Sequence, residues 1–292
     1  MDALCKELNS KFHCHGVKFA LWNKLPAIIV SNKLCDAVVT LNGAHVCEFT
    51  PKGGRPLLWM SKAGYFETGK PLRGGIPVCW PWFGGKIQPS HGFVRRKQWD
   101  VESIKAEADG SNTITLLTVS DGSVKEWPFK AECRLTLRAG AKLDVSVTTT
   151  NTDAKTIVYS GALHTYLPVS KITDVKVSGL EGASFTDTLN MTKHVQEGPI
   201  SFGTEIDRIY YPTTAVCVIE DAGAGRRIRV EREGSHSSVV WNPWIEKSKK
   251  MPDYGDEEYW TMVCVESANA WDDSVTLAPG ASATLRTIIY DI

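Results

Sequence analysis

Short runs rich in Val, Ile, Thr and aromatic residues recur along the chain, as in PAIIVSN, TITLLTVSD and SATLRTIIYDI. Gly, Asn, Asp or Pro separates these runs, a pattern typical of strands joined by tight turns in antiparallel sheets. In KLDVSVTTT the apolar residues Leu143, Val145 and Val147 alternate with polar ones. Alternation of this kind predicts a strand with one face in a core and the other in water.

Helical periodicity is scarce in this sequence. We predict a short helix around residues 3–12 and a turn near residues 61–66, and we find no repeat of fixed period and no long linker. A chain built from so many strands must bury one sheet face against another. We therefore predict an all-β fold, a large antiparallel β-sandwich that forms a single domain over residues 1–292.

Three segments depart from the pattern of short strands and turns. The first is a long loop, residues 71–96 (PLRGGIPVCWPWFGGKIQPSHGFVRR), with prolines, glycines, aromatic residues and cations. The other two are the strands SGALHTYLPV and WTMVCVESANAWDD, each with an ionisable residue among apolar ones. Because surface connections are usually short and polar, long structured loops are more often functional. We therefore expect the functional site in these three segments.

The charges of the chain balance, with 33 Lys and Arg against 33 Asp and Glu. A surface for nucleic acid or for an anionic membrane needs a basic excess, so neither partner is expected, although a few arginines can still hold a small anion. The N-terminal sequence MDALCKELNSKFHCHG has no long apolar run and does not resemble a secretory signal.

Six cysteines lie in or beside apolar runs, namely Cys35, Cys47, Cys79, Cys133, Cys217 and Cys264. This placement indicates buried thiols in a reducing compartment. We therefore expect a cytoplasmic protein.

Glu266 follows the apolar run MVCV, so both faces of its strand are expected to be buried. A buried carboxylate is costly unless it is paired or hydrogen-bonded. Desolvation would raise the pKa of Glu266 towards neutrality, where the side chain could act as a general base. The alternative is a structural carboxylate that binds a buried amide or an arginine.

His164 stands in the run ALHTYLPV, where it would share a strand face with Ala162 and Tyr166. Histidine titrates near neutrality, so it can donate and recover a proton within one turnover. The alternative is a core histidine with satisfied hydrogen bonds. His91, on the long loop, is a candidate to hydrogen-bond a ligand, whereas His45 is expected to be structural.

Two arginines of the long loop, Arg73 and Arg95, lie among glycines and prolines. Guanidinium groups bind carboxylate or phosphate through two hydrogen bonds, and glycines allow close approach of the backbone. The alternative is a solvated pair on the surface. The aromatic residues Trp80, Trp82 and Phe83 suit a sugar-stacking platform, although at least one of them is expected in the core.

Six motifs, in order along the chain, resemble one family. LRGGIPVCWPWFG, HGFVR, ALHTYLPV, DRIYY, VVWNPW and VCVESANAWDDSVTLAPG are similar to those of the glucose-6-phosphate 1-epimerases. These enzymes are the hexose-6-phosphate branch of the aldose 1-epimerase, or galactose mutarotase-like, superfamily. The resemblance implies a large antiparallel β-sandwich, the supersandwich of that superfamily, whose curved inner sheet forms an open cleft for a pyranose.

The resemblance also implies roles for individual residues. The family's catalytic histidine and glutamate fall on His164 and Glu266, and its phosphate- and sugar-binding arginines fall on Arg73 and Arg95. An aspartate that binds the sugar falls on Asp207. Beside His91, many relatives have a glutamine where this chain has Ser90, a shorter side chain that either loses the contact or bridges it through water.

The implied reaction is the interconversion of the α and β anomers of a hexose 6-phosphate. Ring opening requires that a base take the proton of the anomeric hydroxyl while an acid protonates the ring oxygen, and the two exchange roles on closure. Glu266 suits the base and protonated His164 the acid, if the pKa values of both lie near neutrality. No redox cofactor and no metal is required.

Two other functions stay open at this point. An aldose 1-epimerase for free sugars would keep the same histidine and glutamate but lack a phosphate site, and Arg73 and Arg95 favour the phosphorylated substrate. A non-catalytic carbohydrate-binding protein could share the sandwich, but the presence of both His164 and Glu266 argues against it. We expect a monomer, because the sequence shows no strongly hydrophobic interface.

Overall fold

Strands dominate the computed structural model, which describes residues 3–292. In chain order the first strands are β1 (Val17–Trp22), β2 (Leu25–Ser31), β3 (Cys35–Thr40), β4 (His45–Pro51), β5 (Val78–Cys79), β6 (Asp100–Ala106), β7 (Asn112–Asp121), β8 (Lys130–Ala139), β9 (Leu143–Asn151), β10 (Ile157–Tyr159), β11 (Gly161–Leu163) and β12 (Tyr166–Pro168). The remaining strands are β13 (Val175–Ser178), β14 (Ser184–Asp187), β15 (Thr192–Val195), β16 (Ile200–Ser201), β17 (Ile206–Tyr210), β18 (Cys217–Asp221), β19 (Arg226–Glu233), β20 (Ser237–Asn242), β21 (Met262–Asn269), β22 (Val275–Leu277) and β23 (Ser282–Asp291).

Helical structure is limited to short pieces in the described residues. The two α-helices are α1 (Ala3–Lys11) and α2 (Trp244–Ser248). Single 3₁₀ turns occupy Val94–Arg96, Ile172–Asp174, Glu258–Thr261 and Trp271–Asp273. The predicted N-terminal helix is confirmed, and so is the all-β class. Within residues 3–292, no helix has the length and apolar character needed to cross a membrane.

Two large antiparallel sheets form the body of the molecule. One has the strand order β15-β14-β17-β20-β21-β11-β5, with β12 also paired to β21; the other has the order β16-β13-β18-β19-β23-β9-β8-β7-β6. The strand β23 of the second sheet packs against β21 and β11 of the first. Apolar side chains of both sheets, such as Val265 and Val145, lie in one core cluster. This confirms the predicted antiparallel sandwich, in which β9 buries Leu143, Val145 and Val147 as its alternation indicated.

A smaller sheet, β1-β2-β3-β4, and the pair β10-β22 complete the fold. The helix α1 packs on β1 and β2 and buries Leu8 in the main core. The six cysteines singled out above are free, and all of them are buried. The prediction of buried thiols is therefore confirmed.

Every residue of β20 and β21 is buried, because both faces of this part of the sheet are covered. Val263 and Val265 of β21 belong to the main core, whereas Ala268 belongs to a separate apolar cluster. The side chains of Phe83 and Trp271 pack against that second cluster. Glu266, two residues before Ala268, therefore shares the face that these aromatic residues help to cover.

We predicted the run ALHTYLPV as one strand, and this prediction is wrong. The strand breaks after Leu163 and resumes at Tyr166. The backbone N–H of His164 donates to the Pro77 carbonyl (3.1 Å), and that of Tyr166 donates to the Gly75 carbonyl (2.9 Å). These bonds to the 71–96 segment replace the regular ladder, so His164 lies in the gap between β11 and β12. The 71–96 segment also approaches β4 closely, since a Cβ at Gly75 would lie 2.3 Å from the Val46 carbonyl oxygen.

The 71–96 segment, predicted as a loop, also contains regular structure. It contributes β5, which pairs with β11 at the end of the eight-stranded sheet, and a 3₁₀ turn at its C-terminal end. Trp80 and Trp82 are buried in the main core, and Phe83 is only partly buried. The aromatic trio is thus mostly core, with Phe83 left to face the cleft.

Candidate active site

A cleft on the eight-stranded sheet brings together most of the residues singled out from the sequence. It encloses about 490 Å³ of empty space, a volume that includes its open mouth. Its lining consists of Arg73, Phe83, His91, His164, Asp207, Val239, Trp241, Lys247, Met251 and Glu266. Ser90 and Arg95 do not line the cleft.

His164 and Glu266 meet at the bottom of this cleft. The His164 Nδ1 atom lies 3.4 Å from the Glu266 Oε1 atom, and the glutamate is 1% exposed. The His164 Nδ1 and Glu266 Oε2 atoms are buried without a hydrogen-bond partner. Buried polar groups are normally satisfied in folded proteins. An acid–base pair with unused hydrogen-bonding capacity is therefore available to a ligand.

Burial shifts the pKa values of the two side chains in opposite directions. Desolvation, followed by the negative charge of Asp207, raises the pKa of Glu266 well above its ordinary value. Desolvation, followed by electrostatic interactions with His91, Arg73 and Arg95, lowers the pKa of His164 well below its ordinary value. The rise at Glu266 agrees with the prediction. The fall at His164 differs from the expected value near neutrality, and it makes a neutral acid beside a neutral imidazole the favoured state of the free cleft.

Aromatic contacts hold the His164 ring in place. The ring stacks on Tyr166, with centroids 4.9 Å apart and planes 11° from parallel. His91 and Trp241 contact it edge-on, at centroid distances of 5.7 Å and 6.0 Å. His91 has a left-handed backbone (φ 61°), and its Nδ1 atom accepts a hydrogen bond from the Gly84 N–H (3.4 Å). Burial lowers the pKa of His91 to about 3, so this ring is neutral at pH 7.

Arg73 lines the cleft but is already engaged by protein groups. Its Nη2 atom lies 3.1 Å from Asp253 Oδ1, its Nε atom donates to Asp253 Oδ2 (3.3 Å), and its Nη1 atom donates to the Tyr166 hydroxyl (3.1 Å). A guanidinium group carries five N–H bonds, so donors remain for a ligand. These contacts fix the position of Arg73 before any ligand arrives.

Arg95 lies behind the cleft wall, and Ser90 holds it there. The Arg95 Nη2 atom donates to the Ser90 carbonyl (2.7 Å) and to the Ser90 hydroxyl (3.3 Å), and its Nε atom has no partner. No carboxylate of residues 3–292 forms an ion pair with Arg95, and the side chain is mostly buried. Ser90 therefore positions Arg95, whose positive charge is near enough to lower the pKa of His164.

Lys247 is a cleft residue that the sequence analysis missed. It lies on α2, and its Nζ atom is 3.0 Å from Glu205 Oε1 and 3.9 Å from Asp207 Oδ2. The position of α2 depends on Asn242, whose Oδ1 atom accepts a hydrogen bond from the Trp244 N–H. The VVWNPW motif marked this corner, but no periodicity indicated that a lysine just beyond it would face the cleft.

Asp207 lies on β17 opposite Trp241 of β20, and both residues line the cleft. Burial raises the pKa of its carboxyl group, and the charge of Lys247 acts in the opposite direction. Its oxygen atoms are available to accept hydrogen bonds from a ligand in the cleft. His45, which we expected to be structural, is buried, and its ring bonds to the Gly74 carbonyl (2.7 Å).

A larger groove, with about 1040 Å³ of empty space, lies beside the β14–β15 hairpin. Its ionisable lining residues are Lys193, His194, Tyr211 and Asp272. None of these lining residues forms a buried acid–base pair comparable to His164 and Glu266. The smaller cleft is therefore the better candidate for an active site.

Comparison with known proteins points to one family. The family model described as "Aldose 1-epimerase" matches residues 26–290. A "putative glucose-6-phosphate 1-epimerase" of Cenchrus ciliaris is 36% identical over 264 residues, covering 84% of this chain and 78% of that one. A protein of the same name from Escherichia coli K12 is 36% identical over 253 residues, covering 85% and 84%. The crystal structure of a "putative mutarotase (YeaD)" from Salmonella typhimurium gives a TM-score of 0.88 at 31% identity, covering 95% and 94%.

Proposed function

This chain is an epimerase of the aldose 1-epimerase family, and we propose that it interconverts the α and β anomers of glucose 6-phosphate, the activity for which its relatives are named. One observation carries the proposal. A buried glutamate and a buried histidine, with 3.4 Å between Oε1 and Nδ1, lie in a cleft that two cations, Arg73 and Lys247, also line. This arrangement offers an acid, a base and an anion site within the reach of one small sugar phosphate.

We propose that Glu266 takes the proton of the anomeric hydroxyl and that His164 protonates the ring oxygen. The neutral pair favoured in the free cleft contains the same number of protons as a carboxylate beside an imidazolium. The reactive form therefore requires only that one proton move between the two side chains, without uptake from solvent. After ring opening and rotation about the C1–C2 bond, the two groups exchange roles and close the ring on its other face.

The phosphate group would bind to Arg73 and Lys247. Arg73 is held rigidly by Asp253 and Tyr166, which reduces the entropy lost when it binds a ligand. Lys247 would exchange its ion pair with Glu205 for a bond to the phosphate. Arg95, held by Ser90, would favour the dianion through its charge. The direct phosphate role expected of Arg95 thus passes, in this proposal, to Lys247.

The sugar ring would lie among the remaining lining residues. Asp207 is placed to accept hydrogen bonds from ring hydroxyls, and the faces of Phe83 and Trp241 are available to the apolar C–H faces of the pyranose. His91 is neutral at pH 7 and its Nδ1 atom accepts from the Gly84 N–H, so its Nε2–H group would donate one hydrogen bond at the same wall. These contacts would orient the anomeric carbon towards Glu266.

We further propose that the enzyme is a single-domain monomer that acts in the cytoplasm without a metal or redox cofactor, and that it binds neither nucleic acid nor membranes. Two observations support this part of the proposal. The six buried free thiols suit a reducing compartment, and the equal numbers of acidic and basic residues disfavour polyanionic partners.

The test is an anomerisation assay that starts from α-glucose 6-phosphate and follows the β anomer with a dehydrogenase specific for that anomer. We expect the protein to accelerate anomerisation well beyond the buffer rate, and to act on glucose 6-phosphate with a higher specificity constant than on free glucose. A higher specificity constant on free glucose would favour a free-sugar epimerase. No acceleration with any sugar would favour a non-catalytic carbohydrate-binding protein.

A further inference from the structure

Cys264 adds a third potential metal ligand to the catalytic pair. It precedes Glu266 by two residues on β21, so its side chain lies on the same face of the sheet. Ligand atoms of His164, Cys264 and Glu266 all lie within 4.8 Å of one another, and all three residues are buried. We propose that these three side chains form a binding site for Zn²⁺, and that zinc bound there inhibits the enzyme.

The spacing of the ligand atoms matches a tetrahedral zinc site. At tetrahedral angles, Zn–N and Zn–O bonds of about 2.0–2.1 Å place the nitrogen and oxygen atoms about 3.4 Å apart. The His164 Nδ1 and Glu266 Oε1 atoms are already 3.4 Å apart. With a Zn–S bond of about 2.3 Å, the sulfur would lie about 3.6 Å from the other ligands. The Cys264 sulfur lies within 4.8 Å of a ring nitrogen of His164 and of a carboxylate oxygen of Glu266, so a side-chain shift of about 1 Å closes the site.

Two of the ligand groups have unused coordination capacity. The His164 Nδ1 and Glu266 Oε2 atoms are buried and lack a hydrogen-bond partner. No hydrogen bond of these two atoms would therefore be broken when a metal arrives. The site would be hard to recognise from the sequence, because His164 lies far along the chain from Cys264 and Glu266.

The charges and the donor types select zinc over harder cations. Zinc binding releases the thiol proton of Cys264 and the carboxyl proton of Glu266 to solvent. The resulting thiolate and carboxylate carry two negative charges, which balance the charge of Zn²⁺. The resulting complex adds no net charge to a cleft that Arg73 and Lys247 also line. Thiolate and imidazole ligands suit zinc, whereas Mg²⁺ prefers oxygen ligands only. Three protein ligands leave a fourth position for a water molecule.

Inhibition follows from the identity of the ligands, and this clause rests on the proposed epimerase function. Coordination occupies the Glu266 carboxylate that would accept the anomeric proton. It also fixes His164 as a neutral ligand, which then cannot serve as the acid. Zinc and sugar phosphate would therefore exclude one another from the cleft.

Zinc binding can be measured without any enzyme activity, by competition between the apo protein and a chromophoric zinc chelator. We expect the wild-type protein to bind one Zn²⁺ and Cys264→Ala to bind it at least about tenfold more weakly. Glu266→Gln, a nearly isosteric change, should also weaken binding. Cys133→Ala is the matched control, because Cys133 is a buried free thiol of β8 in the other large sheet. It should bind zinc as the wild type does.

In the anomerisation assay, zinc should inhibit the wild-type protein competitively with glucose 6-phosphate, EDTA should reverse the inhibition, and Mg²⁺ should have no effect. Equal zinc affinity in the wild type and in Cys264→Ala would overturn the inference, and so would the absence of stoichiometric binding to the wild type. Zinc that binds but leaves the turnover of an active wild type unchanged would overturn the inhibitory role. A wild type with no epimerase activity would instead refute the proposed function, and the chelator competition would still decide whether the site exists.

Discussion

Replacing Lys247 tests the proposed phosphate site most sharply, because the change removes one cation from the cleft wall and leaves the acid–base pair intact. Lys247→Met keeps most of the aliphatic side chain and deletes the ammonium group. The matched control is Lys249→Met, since Lys249 lies just beyond the same helix and pairs with exposed Glu246 at 3.6 Å. Lys249 does not line the cleft.

The size of the effect follows from the environment of Lys247. A hydrogen bond to a charged group contributes ~1.5–3 kcal/mol. The Lys247 side chain is 38% exposed and already pairs with Glu205 at 3.0 Å. Solvent screening and the loss of that ion pair on binding place the net contribution near the lower end of the range. Since 1.4 kcal/mol corresponds to a factor of ten, we expect the specificity constant for glucose 6-phosphate to fall about tenfold.

The measurement is the ratio of the specificity constants for glucose 6-phosphate and free glucose in the wild type and the two variants. The ratio should fall about tenfold in Lys247→Met and stay constant in Lys249→Met. An unchanged ratio in Lys247→Met would refute the assignment of Lys247 to the phosphate. Equal losses on both sugars would mean that the lysine acts through Asp207 or through the fold.

Three further predictions concern the other groups of the cleft. Glu266→Gln and His164→Asn should each slow anomerisation by about 10²- to 10⁴-fold, the usual range for a general acid or base, with an unchanged circular dichroism spectrum; near-normal turnover would contradict the role of the residue changed. Arg73→Ala should lower both the melting temperature and the use of glucose 6-phosphate, because it leaves Asp253 buried without its partner; an unchanged melting temperature would argue against that cause. Glu266→Gln should also raise the melting temperature above neutral pH. The folded-state pKa of Glu266 is raised, so its contribution to stability is present below the unfolded-state pKa and is lost as pH rises through the folded-state pKa. The variant lacks this titration, so its melting temperature should exceed that of the wild type by an amount that grows with pH. A difference between the two melting temperatures that stayed constant from pH 5 to pH 9 would refute the linkage.

Part of this site is predictable from local sequence because local sequence determines burial. The run MVCV before Glu266 indicated a strand buried on both faces, and all eight residues of β21 are buried. The alternation in KLDVSVTTT likewise identified the buried face of β9. In both cases a strand's own side-chain pattern fixes which face lies in the core, so no knowledge of distant segments is needed.

The parts that sequence could not predict depend on contacts between distant segments. His164 leaves the strand because the Pro77 and Gly75 carbonyls accept backbone hydrogen bonds there. The run ALHTYLPV by itself does not indicate that these carbonyls would be its hydrogen-bond partners. Lys247 faces the cleft because a short helix is anchored by Asn242. Arg95 was expected in the cleft but lies behind its wall, because its guanidinium group bonds to Ser90 five residues away.

Two of the charges that would attract the phosphate, those of Arg73 and Arg95, also affect the pKa of His164. In the free cleft, Arg73 and Arg95 lower the pKa of this histidine, in addition to the effect of burial. A bound phosphate dianion would offset those positive charges and so raise the pKa of His164 towards the range in which an imidazolium is stable. Free glucose brings no such charge and would leave the neutral pair in place. In this account the phosphate increases kcat as well as affinity, because part of its binding energy is used to form the acid that the reaction needs.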